Sequence, residues 1–221
     1  MGRLVGSVGY LFFGVVIIGA FSLAFGGSGS FTDPRDGQTY RTVTIGNQTW
    51  MAENLNFNAS GSWCYDDGPA NCDLYGRLYD WNTVMAGSPS SSSSPSGVQG
   101  ICPDGWHVPS DDEWTTLVNF VNTSTTSTDN SGTRLKALIG WDPWSGTLIP
   151  GTDDHGFSAL PGGGRYADGT FWVVGTYGNW WSATEYDASS AWRRGMLSDA
   201  SYVYSYRDFK TDGFSLRCVQ K

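Results

Sequence analysis

The sequence predicts an α+β domain in which a hairpin and two principal helices precede a long half of short strands and loops. Three observations predict it. The 221 residues include 30 glycines, 11 tryptophans, 11 tyrosines and 11 phenylalanines. Short strands and tight turns use residues this way, because glycine supplies positive φ and aromatics pack well on pleated surfaces. Helical spacing is confined to the middle of the chain, and from Trp141 onward glycines punctuate short aromatic runs.

The elements follow in order. Residues 4–25 are 22 residues without a charge, preceded by Arg3 and followed by Gly26-Gly27-Ser28-Gly29-Ser30. A run of this length can span a bilayer, and the preceding positive residue fits a cytoplasmic N-terminus. It is longer than the apolar region of a usual signal peptide, and no A-x-A cleavage site follows. A retained anchor is the first reading and a removed signal the second; both export the remainder. The expected organisation is an anchor or signal over 1–26, a Gly/Ser linker over 27–32 and one domain over 33–221.

Within that domain, residues 39–50 read as a hairpin. Val43 and Ile45 alternate with polar residues before the turn Gly46-Asn47, and Gln48-Thr49-Trp50 returns. Residues 75–85 have helical spacing, with Leu78, Trp81, Val84 and Met85 on one face. Residues 88–97 are a serine-rich loop that no core would use. Ser110 and Glu113 form a capping box opening a helix with Trp114, Leu117, Val118 and Val121 inward. A polar loop over 123–132 leads to a short helix over 135–139. Strands follow at Trp180-Trp181, Ala191-Trp192 and 202–206, with Trp180, Trp181 and Trp192 assigned to the core.

The formal charge is −8, and with Glu53, Glu113 and Glu185 the only glutamates, 18 of the 21 acids are aspartates, residues of turns and caps. Lys136, Lys210 and Lys221 are the only lysines. No basic stripe follows a phosphate backbone, which argues against nucleic acid as a partner. Cys64, Cys72, Cys102 and Cys218 are an even set in an exported chain and read as two disulfides, with three connectivities open. Zinc would ask for a different pattern: there is no C-x-x-C, and His107 and His155 stand apart.

The runs DGQTYRTVTIGNQTWMAENLN, YGRLYDW, GICPDGWHVPSDDEW, GFSALPGGGR, WWSATEYD and GFSLRCV occur in this order from about residue 33 to 219. In these segments the chain resembles the Fibrobacter succinogenes major paralogous domain. The resemblance implies a C-type-lectin-like fold, in the version shared with formylglycine-generating enzymes. It implies termini that meet on one sheet, long loops on the opposite face, and a Cys102–Cys218 pairing that leaves Cys64 with Cys72. A narrower resemblance, over residues 186–209, is to the variable proteins of diversity-generating retroelements. Their adenine-directed substitution cannot produce Trp, Met, Lys, Glu or Gln from AAY codons. Only Trp192 and Met196 in that tract belong to those types.

No catalytic constellation assembles. The likeness to formylglycine-generating enzymes raises cysteine and copper chemistry, but all four cysteines are accounted for by disulfides, and only Arg217 offers a thiolate a cation. G-x-S-x-G is absent. His107, between Trp106 and Val108, reads as a structural histidine, and Glu113 as the partner of Ser110. His155 sits in Asp153-Asp154-His155-Gly156, a solvated turn, with a metal or acid–base role as the alternative. No cofactor is called for. A structural calcium would draw on Asp66, Asp67, Asp153, Asp154 or Asp187; ordinary turn aspartates are the preferred reading.

Binding fits the residues better. Tyr186, Asp187, Ser189, Ser190, Arg193, Arg194, Ser198, Asp199, Tyr202, Tyr204, Tyr206, Arg207 and Asp208 combine amphipathic contact area with adaptable hydrogen bonding, the chemistry of a paratope. Alternate residues of a strand share a face, so Tyr202, Tyr204 and Tyr206 would form an aromatic row. The expected function is therefore a non-catalytic recognition domain at a cell surface, with a protein or glycan as ligand and residues 4–25 in the membrane. The second reading is a subunit of a filament or surface layer assembling through the apolar N-terminus.

Overall fold

A computed structural model describes residues 1–2, 27–122 and 129–221. The expected anchor over 4–25 and the loop residues 123–128 lie outside them. Among the described residues no helix is long and apolar enough to cross a membrane. The architecture is α+β, with few helices and several small antiparallel sheets.

The stretch expected as a linker is instead strand β1 (Ser28–Thr32), paired with β2 (Thr39–Ile45) from Ser28↔Val43 to Thr32↔Thr39. Phe31 anchors it by packing on Trp106, ring centroids 5.4 Å apart, a contact that composition does not reveal. The predicted hairpin forms: β2 turns at Gly46-Asn47 into β3 (Gln48–Met51), with Ile45 opposite Gln48.

The predicted helix over 75–85 is broken in two by a strand. β4 (Ser62–Trp63) precedes α1 (Pro69–Tyr75), which ends at Gly76 with φ 74°, a conformation that side chains resist. β5 (Leu78–Tyr79) then pairs with β4, and Tyr79 exchanges backbone hydrogen bonds with Phe214 at 2.8 and 3.0 Å. These non-local bonds outweigh the local spacing. Helix α2 (Trp81–Met85) restarts under Asp80, whose carboxylate accepts the Thr83 N–H at 2.7 Å. Leu78, Trp81, Val84 and Met85 are all buried.

β6 (Trp106–His107) leads into α3 (Asp111–Val121). Its capping box is formed: Glu113 N–H donates to Ser110 Oγ at 3.1 Å, and Ser110 N–H to Glu113 Oε2 at 3.0 Å. Helix α4 (Ser131–Leu135) lies four residues earlier than predicted, because Asp129 accepts the Ser131 N–H at 2.7 Å and Lys136 leaves the helix to turn inward. Leu138 and Ile139, expected in that helix, are exposed.

The C-terminal half holds a small hairpin, β7 (Gly164–Arg165) and β8 (Phe171–Trp172). It then forms a three-stranded sheet of β9 (Tyr177–Glu185), β10 (Ser190–Leu197) and β11 (Tyr204–Phe209), in the order β11-β10-β9. The last strand, β12 (Val219–Gln220), inserts between β3 and β6, so the first and last strands share one five-stranded sheet. Both disulfides are formed as the resemblance implies: Cys64–Cys72, and Cys102–Cys218 across a sequence separation of 116.

β9 is the wall between two cores, because successive residues of a strand point to opposite faces. Trp180 joins Trp50, Trp114 and Phe157 on one side, with Trp50 and Trp114 ring centroids 4.7 Å apart. Trp181 faces Tyr79, Phe214 and the Cys102–Cys218 disulfide on the other.

Candidate functional site

The tract expected to bind a ligand is the β10–β11 hairpin and its flanking turns. Its register places Arg193 opposite Tyr206, Arg194 opposite Ser205, and Gly195 opposite Tyr204. One face therefore carries Arg193, Gly195, Tyr204, Tyr206 and Asp208, and the other Trp192, Arg194, Ser205, Arg207 and Phe209.

On the first face, Tyr177, Leu197, Tyr202, Tyr204 and Tyr206 surround a shallow cavity of about 400 Å³ floored by Arg193. Tyr202 and Tyr206 are exposed and Tyr204 is half-buried, so the expected aromatic row exists. Tyr202 stands in the turn before β11 rather than in the strand.

Arg193 is buried, and its guanidinium is held from three directions. Nη1 donates to Asn179 Oδ1 at 2.7 Å and to the Tyr204 hydroxyl at 3.2 Å, while Nε donates to the Asp208 carboxylate. It lies 5.5 Å from the ring centroids of both Tyr204 and Tyr206. Burial alone would weaken its charge; Tyr204 and Asp208 alongside more than offset this and keep its pKa above the ordinary value. Burial also raises the Tyr204 phenol, leaving it a hydrogen-bond donor.

The second face is built differently. Arg194 donates to Asp111 Oδ1 at 2.8 Å, to the Asp111 carbonyl at 3.0 Å and to Thr115 Oγ1 at 2.7 Å, which pins the start of α3. Beyond it Arg207 lies 4.3 Å from the centroid of Tyr186, and Tyr186 meets Trp192 edge-on at 5.3 Å. The turn between β9 and β10 is closed by Asp187, which accepts from Ser189 N, Ser189 Oγ and Ser190 N at 2.8–2.9 Å. Hydrogen bonds from Ser190 and Ser189 lower its pKa to about 2.

The residues expected to bind differ in exposure. Ser190, Arg193, Arg194 and Ser198 are buried, although Arg193 still floors the dish. Ser190, Arg193 and Arg194 belong to β10, the central strand, which is covered by aromatics on one face and by α3 on the other. Trp192, assigned to the core, is only half-buried against Tyr186. Tyr186, Asp187, Ser189, Tyr202, Tyr206 and Arg207 are exposed, with Asp199, Tyr204 and Asp208 half-buried. Two lining residues escape a reading of the tract alone. Tyr177 comes from β9, and Leu197, at the end of β10, looks like ordinary core.

Lys136 is fully buried beside the turn that precedes β11. Its Nζ donates to the carbonyls of Ile149 at 2.6 Å, Ala200 at 3.0 Å and Leu197 at 3.1 Å. With the Ser198 carbonyl at 3.5 Å as a fourth acceptor, the ammonium ties the turn that connects Leu197 to Tyr202 down to the loop at Ile149. Burial pushes its pKa down to about 8, which leaves it charged at neutral pH.

Several other titratable candidates make structural contacts. His107 Nε2 lies 2.7 Å from Glu113 Oε1, both buried, while Glu113 Oε2 also accepts the Ser96 N–H at 3.0 Å. Glu113 thus caps α3, fixes His107 and holds the end of the serine loop. His155 is half-buried with its ring 6.1 Å from Phe120, and burial lowers its pKa. Asp153 accepts from Ser158 N and Oγ, and Asp154 pairs with Arg134 at 2.8 Å. Among the described residues no group of three or more His, Cys, Asp or Glu side chains is placed to hold a metal ion. What the dish offers chemically is flat apolar surface, phenolic hydroxyls and one fixed cation beneath.

A family model described as the Fibrobacter succinogenes major domain matches residues 43–220. No curated protein and no solved structure matches the chain.

Proposed function

The chain belongs to the Fibrobacter succinogenes major domain family, and from that premise we propose that it is a non-catalytic, surface-displayed ligand-binding domain of C-type-lectin-like architecture. One observation carries the reading: Tyr202 and Tyr206 present exposed rings beside Tyr177, Leu197 and Tyr204, over a guanidinium already satisfied by its neighbours. Rigid aromatic area with little ordering cost, rimmed by polar groups, is how recognition surfaces are built. The two disulfides support passage through an oxidising compartment, and the uncharged run over 4–25 supports export and anchoring. Diversification of residues 186–209 belongs to the same reading, and a near-identical template repeat beside the gene would establish it.

The experiment is a pull-down from surface extracts together with a glycan array, comparing the protein with its Tyr202→Ala/Tyr206→Ala variant. Both rings are exposed, so thermal stability is expected to stay level while binding falls by roughly tenfold or more. Equal binding by the two proteins would remove the dish as the site.

A further inference from the structure

β11 is the outer strand of its sheet, and the direction of its backbone groups follows from the register. Lys210 N–H donates to the Ser189 carbonyl at 2.9 Å. Hydrogen-bonded pairs alternate in an antiparallel ladder, so Ala191↔Asp208, Arg193↔Tyr206 and Gly195↔Tyr204 are the bonded pairs. The Ser190 carbonyl agrees, since it turns away from β11 to accept the Tyr186 N–H at 3.0 Å. Hence the N–H and C=O groups of Ser205 and Arg207 point outward from the sheet. Among the described residues none of these four groups has a hydrogen-bond partner.

Exposed edges are usually blunted by proline, an outward lysine, a bulge or a covering segment. Tyr204–Phe209 contains neither proline nor lysine. Lys210, the next residue, turns in to pair with Glu185. Beside this open edge lie the dish on one face and, on the other, Arg207, which has no carboxylate partner among the described residues.

We propose that the ligand is a protein, recognised through an extended segment that adds a fourth strand along β11. The inference rests on the ligand-binding reading above and names its partner. Outward N–H and C=O groups repeating every second residue match another extended backbone, whose own groups repeat at about 6.7 Å. A glycan has no such alternation. Side chains of the added strand alternate between faces, so apolar residues fall toward Tyr202 and Tyr206 and an acidic residue falls toward Arg207.

A phage-displayed library of random linear peptides, panned on the immobilised full chain, supplies the probe. Ser205→Pro deletes an outward donor without touching the β10 ladder, and outer strands tolerate proline there; Ser205→Ala keeps the donor. Selected peptides are expected to bind Ser205→Ala as they bind the parent and to lose roughly tenfold on Ser205→Pro. The Ser205 and Arg207 amides should exchange hydrogen more slowly in the complex. If Ser205→Pro fails to fold, N-methylation of alternate peptide amides reads the same bonds.

Equal affinity for the proline and alanine variants overturns the strand addition, as does a library without binders. Loss of binding with Tyr206→Ala but not with Ser205→Pro would keep the surface and reject the added strand; loss with neither would reject both. Light scattering that shows a dimer dissolved by Ser205→Pro would make a second copy the occupant, against the proposal.

Discussion

Tyr204 lies flat across Gly195: a Cβ added to the glycine would meet the tyrosine Cζ at 2.2 Å and its hydroxyl at 2.4 Å. The missing side chain is what lets the phenol reach Asn179 and Arg193. A Gly195→Ala change should swing the ring away, since its far end can move, and free one donor bond of Arg193. The expected cost is about 1–2 kcal/mol, read by denaturant unfolding. Tyr204→Phe in the Gly195→Ala background should add little, because the hydroxyl has already lost its partners. Full additivity of the two changes would contradict this arrangement.

Lys136 supplies the second test. Lys136→Met keeps the stem and removes the ammonium from the carbonyls of Ile149, Ala200 and Leu197, of which Leu197 keeps the Ala200 N–H. Buried acceptors stripped of a partner carry a desolvation penalty, and a loss of roughly 2–4 kcal/mol is expected at pH 7. The turn over 197–202 should loosen first, so its amides should exchange faster than those of α3. A variant with parental stability and uniform protection would show that the ammonium is not what holds the turn.

Asp212 gives a pH dependence with a definite sign. Burial, then the like charge of Asp208, raises its pKa to about 6 from an ordinary 3.8. The folded chain thus binds this proton more tightly than the unfolded chain. Between those values this group makes stability fall as pH rises, and its penalty is complete above pH 6. Asp212→Asn should therefore gain up to about 3 kcal/mol at pH 7 and little at pH 3.5. Urea unfolding at the two pH values checks it; a larger gain in acid would reverse the sign and reject the cause.

Legibility followed the range of the interactions. The Ser110–Glu113 box, the Gly46-Asn47 hairpin and the inward face of α3 depend on residues a few positions apart, and they formed as read. The even cysteine count indicated two disulfides, and the family pattern indicated their pairing. The helix expected over 75–85 yielded to backbone bonds between Tyr79 and Phe214, which spacing cannot display. The linker over 27–32 became a strand because Phe31 found Trp106.

The candidate site divides the same way. Its chemistry was in the sequence: a tract of Tyr, Ser, Arg and Asp, poor in lysine, with every second residue able to share a face. Which of those residues face solvent was decided by the sheet. β10 lies between β9 and β11, so Arg193 is buried beneath the tract's own tyrosines and Arg194 against α3, while Tyr202 and Tyr206 stand clear. Tyr177 joined the dish from β9, and the outward backbone of Ser205 and Arg207 exists only because β11 ends its sheet. Composition and alternation thus determined what kind of surface the chain carries; strand order and register, which depend on pairing partners far away in sequence, decided where that surface is open.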